Sequence, residues 1–137
     1  APKRIPGTIN ETVDAITQAG GRAIAIPADL TSPDDIERMV AQSVEQWGRL
    51  DVVINNAAVT FVGDVDIDLK RHDLIMAINL QAPLLTVRAA LPHLKAAGRG
   101  RIVSLSSQAA LRPVPGLMSY GMSKLALERM TIVPPTT

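Results

Sequence analysis

The stretch Arg101–Lys124, RIVSLSSQAALRPVPGLMSYGMSK, decides how the rest of the chain is read. Ile102–Leu105 is a short apolar run of the kind buried as a strand. It breaks into Ser106, Ser107 and a proline-bearing loop before a helix opens near Ser119. Proteins that alternate helices with a parallel sheet place their chemistry at the carboxyl ends of the strands. Ser107 stands at such an end, and Tyr120 and Lys124 lie one helical turn apart on the next element. Side chains at i and i+4 share a helix face, so the phenol and the ammonium can converge on one point. A cation near a phenol favours the phenolate, which suits general acid/base work, and a serine hydroxyl across the cleft can donate to a carbonyl oxygen. A tyrosine four residues before a lysine is common by chance. Here the context carries the argument, because Tyr120 is the only tyrosine and follows a strand that ends in serine.

Working outward, 137 residues suit one ordinary domain, and 47% apolar residues fit a packed core. A formal charge of +1 and only three aromatic side chains, one each of Trp, Tyr and Phe, argue against a nucleic-acid surface. The absence of cysteine excludes a disulfide framework and a thiolate metal site, and it is compatible with a reducing, cytoplasmic setting. No uninterrupted run of about 18 apolar residues is present, so no segment is expected to span a membrane.

Taken in order, Ala1–Gly7 reads as a loop. Thr8 and Glu11 have capping-box spacing and open a helix to about Ala19, with Ile9, Val13 and Ile16 on one buried face and Gly20-Gly21 as its end. Arg22–Pro27, containing AIAI, reads as a short strand running into Ala28-Asp29-Leu30. Ser32 with Pro33 starts a second helix through Trp47, whose stripe of Ile36, Met39, Val40 and Val44 faces the core, and Gly48 stops it. Leu50–Ile54 is a continuous apolar run of the kind buried in parallel sheets, ending in Asn55-Asn56-Ala57-Ala58. After a loop to Asp68, a helical pattern extends to about Ala97, interrupted at Asn79, Pro83 and Pro92. Asn79 either turns its amide inward or marks an ordinary helix break. The order helix, strand, helix, strand, helix, strand, helix predicts an α/β architecture with a parallel sheet.

Asn55-Asn56-Ala57-Ala58 after a buried strand, Asn79 in a long helix, the Ser-Ser ending of Arg101–Ser107, and Tyr120-Gly-Met-Ser-Lys124 together resemble the short-chain dehydrogenase/reductase family. The separation of Ser107 from Tyr120 is also typical of that family. The resemblance covers roughly Gly7 to Thr131 and implies a Rossmann-like fold and an alcohol/carbonyl oxidoreductase using NAD or NADP. By it, Tyr120 is the catalytic acid/base. Lys124 assists the tyrosine and binds the nicotinamide ribose, Ser107 polarises the substrate carbonyl, and Asn79 holds a water in a proton relay. Asp29, followed by Leu30, is similar to the aspartate that accepts a hydrogen bond from the adenine amine, while Asn55 and Ala57 line the cofactor cleft. The implied partners are a small alcohol or carbonyl substrate and further copies of the chain, as a dimer or tetramer of the complete enzyme. The residues alone leave Asp29 open as a helix cap and Asn55-Asn56 as a turn.

The sequence departs from the family in three places. It contains no G-x-x-x-G-x-G or G-x-G-x-x-G segment, and Gly20-Gly21 follows a helix rather than a strand. Ala58 stands where glycine is frequent. Ile132–Thr137, with two prolines, does not continue the helix that holds Tyr120. The strands present resemble the third, fourth and fifth of a sheet ordered 3-2-1-4-5-6. The last two are therefore expected to pair, leaving the first stranded across a gap with unpaired backbone. The expectation is an incomplete Rossmann-like sheet, part of a larger enzyme, whose cofactor binding is impaired without the glycine-rich turn. Lys3 and Arg4 are placed either to meet a 2′-phosphate or to sit in an exposed basic loop, so NAD and NADP are not separated.

Overall fold

A computed structural model describes residues 7–132. Lys3, Arg4, the first loop up to Pro6 and the proline-bearing end from 133 lie outside the described residues. The helices are α1 (Ile9–Gln18), α2 (Pro33–Trp47), α3 (Leu69–Met76), α4 (Ala82–Ala96) and α5 (Met118–Ile132). A π-helical turn, Ala77–Gln81, joins α3 to α4, and a 3₁₀ turn, Gln108–Ala110, precedes α5. The strands are β1 (Val52–Asn55) and β2 (Arg101–Ser104), paired in parallel with Val53 opposite Ile102 and Asn55 opposite Ser104. The fold is Rossmann-like α/β with a two-stranded parallel sheet, and the expected pairing of these strands is what forms.

The predicted strand at Arg22–Pro27 does not form; the segment is irregular. A strand needs a neighbour for its backbone N–H and C=O groups, and the two that do form are satisfied by each other. The same gap corrects the expected buried face of α1. Its capping box is made, with Thr8 N–H donating to Glu11 at 2.6 Å and Glu11 N–H to Thr8 at 3.1 Å, yet no residue of α1 is buried. Nor is β1 covered on both sides. Val53 is buried, whereas Val52 and Ile54 are 48% and 62% exposed, so helices cover one sheet face only.

On the covered face, Val40, Val53, Ala90 and Leu94 form the core, with Leu50, Ala89 and Ile102 packed against them. Ser32 caps α2 as expected, accepting the Asp35 N–H at 3.3 Å, and Gly48 ends it. The long helix is not broken at Asn79. It runs on through the π turn, so the interruption read from the sequence is a local widening of the helix. Pro83 falls in the first turn of α4, where its missing N–H withholds the α-helical hydrogen bond from the Asn79 carbonyl. Contrary to the sequence expectation, this run of 28 residues, Leu69–Ala96, is long and apolar enough to cross a membrane by length and composition, with an 18-residue window of mean hydropathy 1.5. Counting unbroken apolar residues overlooked it because scattered polar residues divide the run. Here α4 packs on α2, β1 and β2.

Candidate active site

Helix α5 presents three small residues, Ser119, Gly121 and Ser123, and all are buried with Leu127. Their size lets α5 approach its neighbours closely. A Cβ added at Gly121 would lie 2.6 Å from the Ala109 carbonyl oxygen, closer than any side chain tolerates. The close approach brings α5 against the end of β2. Lys124, only 2% exposed, donates from Nζ to the Leu105 carbonyl at 2.8 Å. Burial pushes its pKa below the ordinary lysine value, since desolvation disfavours the charged form. The Nζ lies 5.8 Å from the centroid of the half-buried Tyr120 ring, so phenol and ammonium do share a face of α5.

Asn79 turns its amide inward, resolving the two readings left open. It is fully buried, its Oδ1 accepts the Val59 N–H at 2.8 Å, and its Nδ2 donates to the Val59 carbonyl at 2.9 Å and to Ser123 Oγ at 3.0 Å. Ser123 Oγ donates in turn to the Tyr120 carbonyl at 2.7 Å. Both amide donors are thus spent, and the side chain acts as a clamp between the loop after β1 and the backbone that carries Tyr120. Alongside, His72 Nδ1 on α3 and Ser119 Oγ are 2.8 Å apart.

Ser107 precedes the 3₁₀ turn and caps it, its Oγ accepting the Ala109 N–H at 3.2 Å. A hydroxyl that accepts at one lone pair keeps its own hydrogen to donate, polarised by the bond it receives. Ser107 lies two residues beyond the carbonyl that holds Lys124, and its neighbour Ser106 hydrogen-bonds Glu128 of α5.

At the strand ends, Asn55 Nδ2 donates to Ser104 Oγ across the sheet at 3.2 Å, which makes Asn55 a cross-strand tie rather than a bare turn residue. Leu30, Asn55 and Ala57 line a single cavity of about 160 Å³ with Met39, Ala82 and Thr86. Asp29 does not cap α2. Its Oδ1 accepts the Thr31 N–H at 2.8 Å and the Thr31 hydroxyl at 2.7 Å, and these bonds hold its carboxyl below the usual range. The ionised Asp29 is an exposed acceptor. Leu30, Asn55 and Ala57 border one cavity at the strand ends, and Asp29 lies next to Leu30 in sequence. No glycine-rich turn follows a strand in this sequence.

Ser123, the Val59 backbone and the Leu105 carbonyl escaped the sequence reading. Ser123 had a signal, because it lies one turn from Ser119 and both are small residues on the same face of α5; the two backbone groups had none.

The family model for short chain dehydrogenases matches residues 3–133. The chain is 37% identical over 122 residues to an uncharacterized oxidoreductase of Thermotoga maritima, covering 88% of this chain and 48% of that protein. Over 125 residues it is 36% identical to an uncharacterized NAD-dependent oxidoreductase of Mycobacterium tuberculosis, covering 90% of this chain and 46% of that one. It also superposes on the crystal structure of a metagenomic short-chain oxidoreductase in complex with NADP, with a TM-score of 0.83 at 34% identity, over 89% of this chain and 56% of that one. The chain spans about half the length of the curated relatives it matches. Since the match runs through almost the whole sequence and the strands and helices superpose with it, the chain belongs to the short-chain dehydrogenase family.

Proposed function

We propose that these residues form the central part of an oxidoreductase that interconverts an alcohol and a carbonyl, using NAD or NADP. The observation that carries this reading is the buried Lys124 ammonium, tied to the end of β2 and set beside the ring of the only tyrosine. A lysine is costly to bury without a task, and perturbed titrating groups beside a strand end are functional-site candidates. NAD-dependent and NADP-bound relatives support the choice of cofactor. When bound, that cofactor supplies or accepts the hydride.

The chain's own residues then handle binding and the proton. Tyr120 gives its phenolic proton to the carbonyl oxygen in reduction and takes it back in oxidation. Ser107, its oxygen already accepting from Ala109, donates its hydroxyl hydrogen to that same oxygen. Lys124 holds positive charge next to the phenol and meets the ribose hydroxyls. Asn79 holds the loop after β1 against the backbone of Tyr120, its side-chain donors being spent on Val59 and Ser123, and Pro83 withholds the α-helical donor from its carbonyl, the group that would hold a relay water. Leu30, Asn55 and Ala57 border the nucleotide, and Asp29 accepts from the adenine amine. Substrate choice falls to Gln108–Met118, the 3₁₀ turn and the loop that follows it to the start of α5.

The test uses the full-length protein that carries this segment, with NADH and NADPH and a panel of ketones followed by nicotinamide absorbance. Tyr120→Phe lowers kcat by about 10²–10⁴-fold. Turnover equal to the unsubstituted protein would refute the assignment.

A second reading, association without catalysis, draws on the exposed apolar side chains of α4 and α5, Leu84 at 42% and Leu125 at 54%. The same face serves a dimer or tetramer of the active enzyme. A Tyr120→Phe protein that self-associates unchanged but has lost turnover separates the two.

A further inference from the structure

Between Ser107 and Tyr120 the chain crosses a loop with little regular structure, and its far end is held from an unexpected direction. Asp64, in the loop after β1, accepts the Gly116 N–H with both carboxylate oxygens, each at 2.9 Å. The Gly63 N–H donates to the Gly116 carbonyl at 2.9 Å, and Gly63 bridges Leu117 in parallel sense. Gly116 adopts the left-handed conformation, φ 79°, which suits glycine, and a Cβ there would press on Val62 at 3.1 Å. Helix α5 begins two residues on, at Met118, so the lock sits four residues before Tyr120 in sequence. At the other end of the loop, the bare Cα of Gly121 rests on the carbonyl of Ala109, whose N–H caps onto Ser107. Nothing else among the described residues donates to or accepts from the Gly116 peptide group.

We propose that Asp64 is a positioning residue: by chelating the Gly116 N–H it fixes the loop that sets the Ser107 hydroxyl against the Tyr120 phenol. The inference rests on the proposed roles of those two residues. A carboxylate gripping one backbone N–H through two oxygens makes a charge-assisted contact stronger than a neutral one. Reacting groups displaced by about 1 Å lose on the order of 10²-fold in rate, so a grip on the connecting loop matters to chemistry without touching substrate. The loop that borders the substrate is thereby braced on the strand β1 side of the molecule, 56 residues earlier in sequence than Tyr120's helix by the Asp64–Tyr120 separation.

The test uses the 137-residue chain, in which Tyr120 is the only tyrosine and 3-fluorotyrosine therefore gives one fluorine resonance. Amide exchange at Gly116 reads the lock, and the fluorine shift reads the phenol. Asp64→Ala is expected to speed exchange at Gly116 by about tenfold or more and to move or broaden the resonance. Asp64→Asn keeps one acceptor oxygen, guards against a variant that simply unfolds, and is expected to fall between the two in both readouts. The proposal is overturned if Gly116 is unprotected in the parent chain, or if the resonance is identical in all three proteins while exchange changes. Neither readout needs substrate or cofactor, so failure here leaves the proton-transfer role of Tyr120 standing, and an active Tyr120→Phe enzyme leaves the lock standing.

Discussion

The two ends of the molecule, α1 and α5, differ in what they bury. Helix α1 has a complete capping box and buries nothing, whereas α5 buries two serines, a glycine, a lysine and a leucine. One is helical because its own terminus is satisfied locally; the other because α3, the π turn, the 3₁₀ turn and β2 are all fitted to it. A cap decides where a helix starts, but tertiary partners decide what it contributes to the fold. The same contrast separates Arg22–Pro27 from Val52–Asn55: both are apolar runs, and only the one with a neighbouring strand is ordered as a strand.

The contrast breaks most sharply at Asn79. Asn79→Ala strips the Val59 N–H and carbonyl and the Ser123 hydroxyl of a buried partner, and is expected to cost about 3 kcal/mol in urea unfolding. A loss under about 1 kcal/mol would mean that α5 does not depend on this clamp.

Lys124→Met removes a poorly solvated ammonium and also the donor to the Leu105 carbonyl. These effects oppose each other, and the net change is expected to stay within about 1 kcal/mol. Its pH dependence is more telling. Because burial lowers the folded pKa below 10.5, the unfolded chain holds more protons between the folded value and 10.5. Stability of the parent chain therefore rises with pH across that interval, and Lys124→Met flattens the rise. An identical slope in both proteins contradicts the burial account.

The smallest effect belongs to α1. Thr8→Ala removes a cap of about 1 kcal/mol to the helix itself and speeds amide exchange in its first turn. Because α1 buries nothing, the global unfolding midpoint is expected not to move. A shifted midpoint would show α1 coupled to the core.

These residues also mark what was legible in the sequence. Ser32-Pro33 and Gly48 bounded α2 because caps are local chemistry, and the shared face of Tyr120 and Lys124 followed from helix geometry alone. The β1–β2 pairing followed from the fold that the family motifs implied. The false strand at Arg22–Pro27 was misread because strand formation is decided by a partner that no local pattern reports. The π turn was hidden because Asn79 and Pro83 signal a break equally well. Asp29 was ambiguous until Thr31 was seen to occupy its carboxylate, and the partner of Lys124 and two of the three bonds of Asn79 involve backbone groups, which carry no letter of their own.

The proposed function gives Lys124, Tyr120 and Ser107 the proton-transfer role, in a sequence where no glycine-rich turn follows a strand to grip a diphosphate. Isothermal titration of the 137-residue chain with NADH and with NADPH tests it most directly. The account predicts no saturable heat up to cofactor concentrations of about 100 μM, a binding free energy weaker than about −5.5 kcal/mol. Saturable binding of either cofactor in the low micromolar range would contradict it.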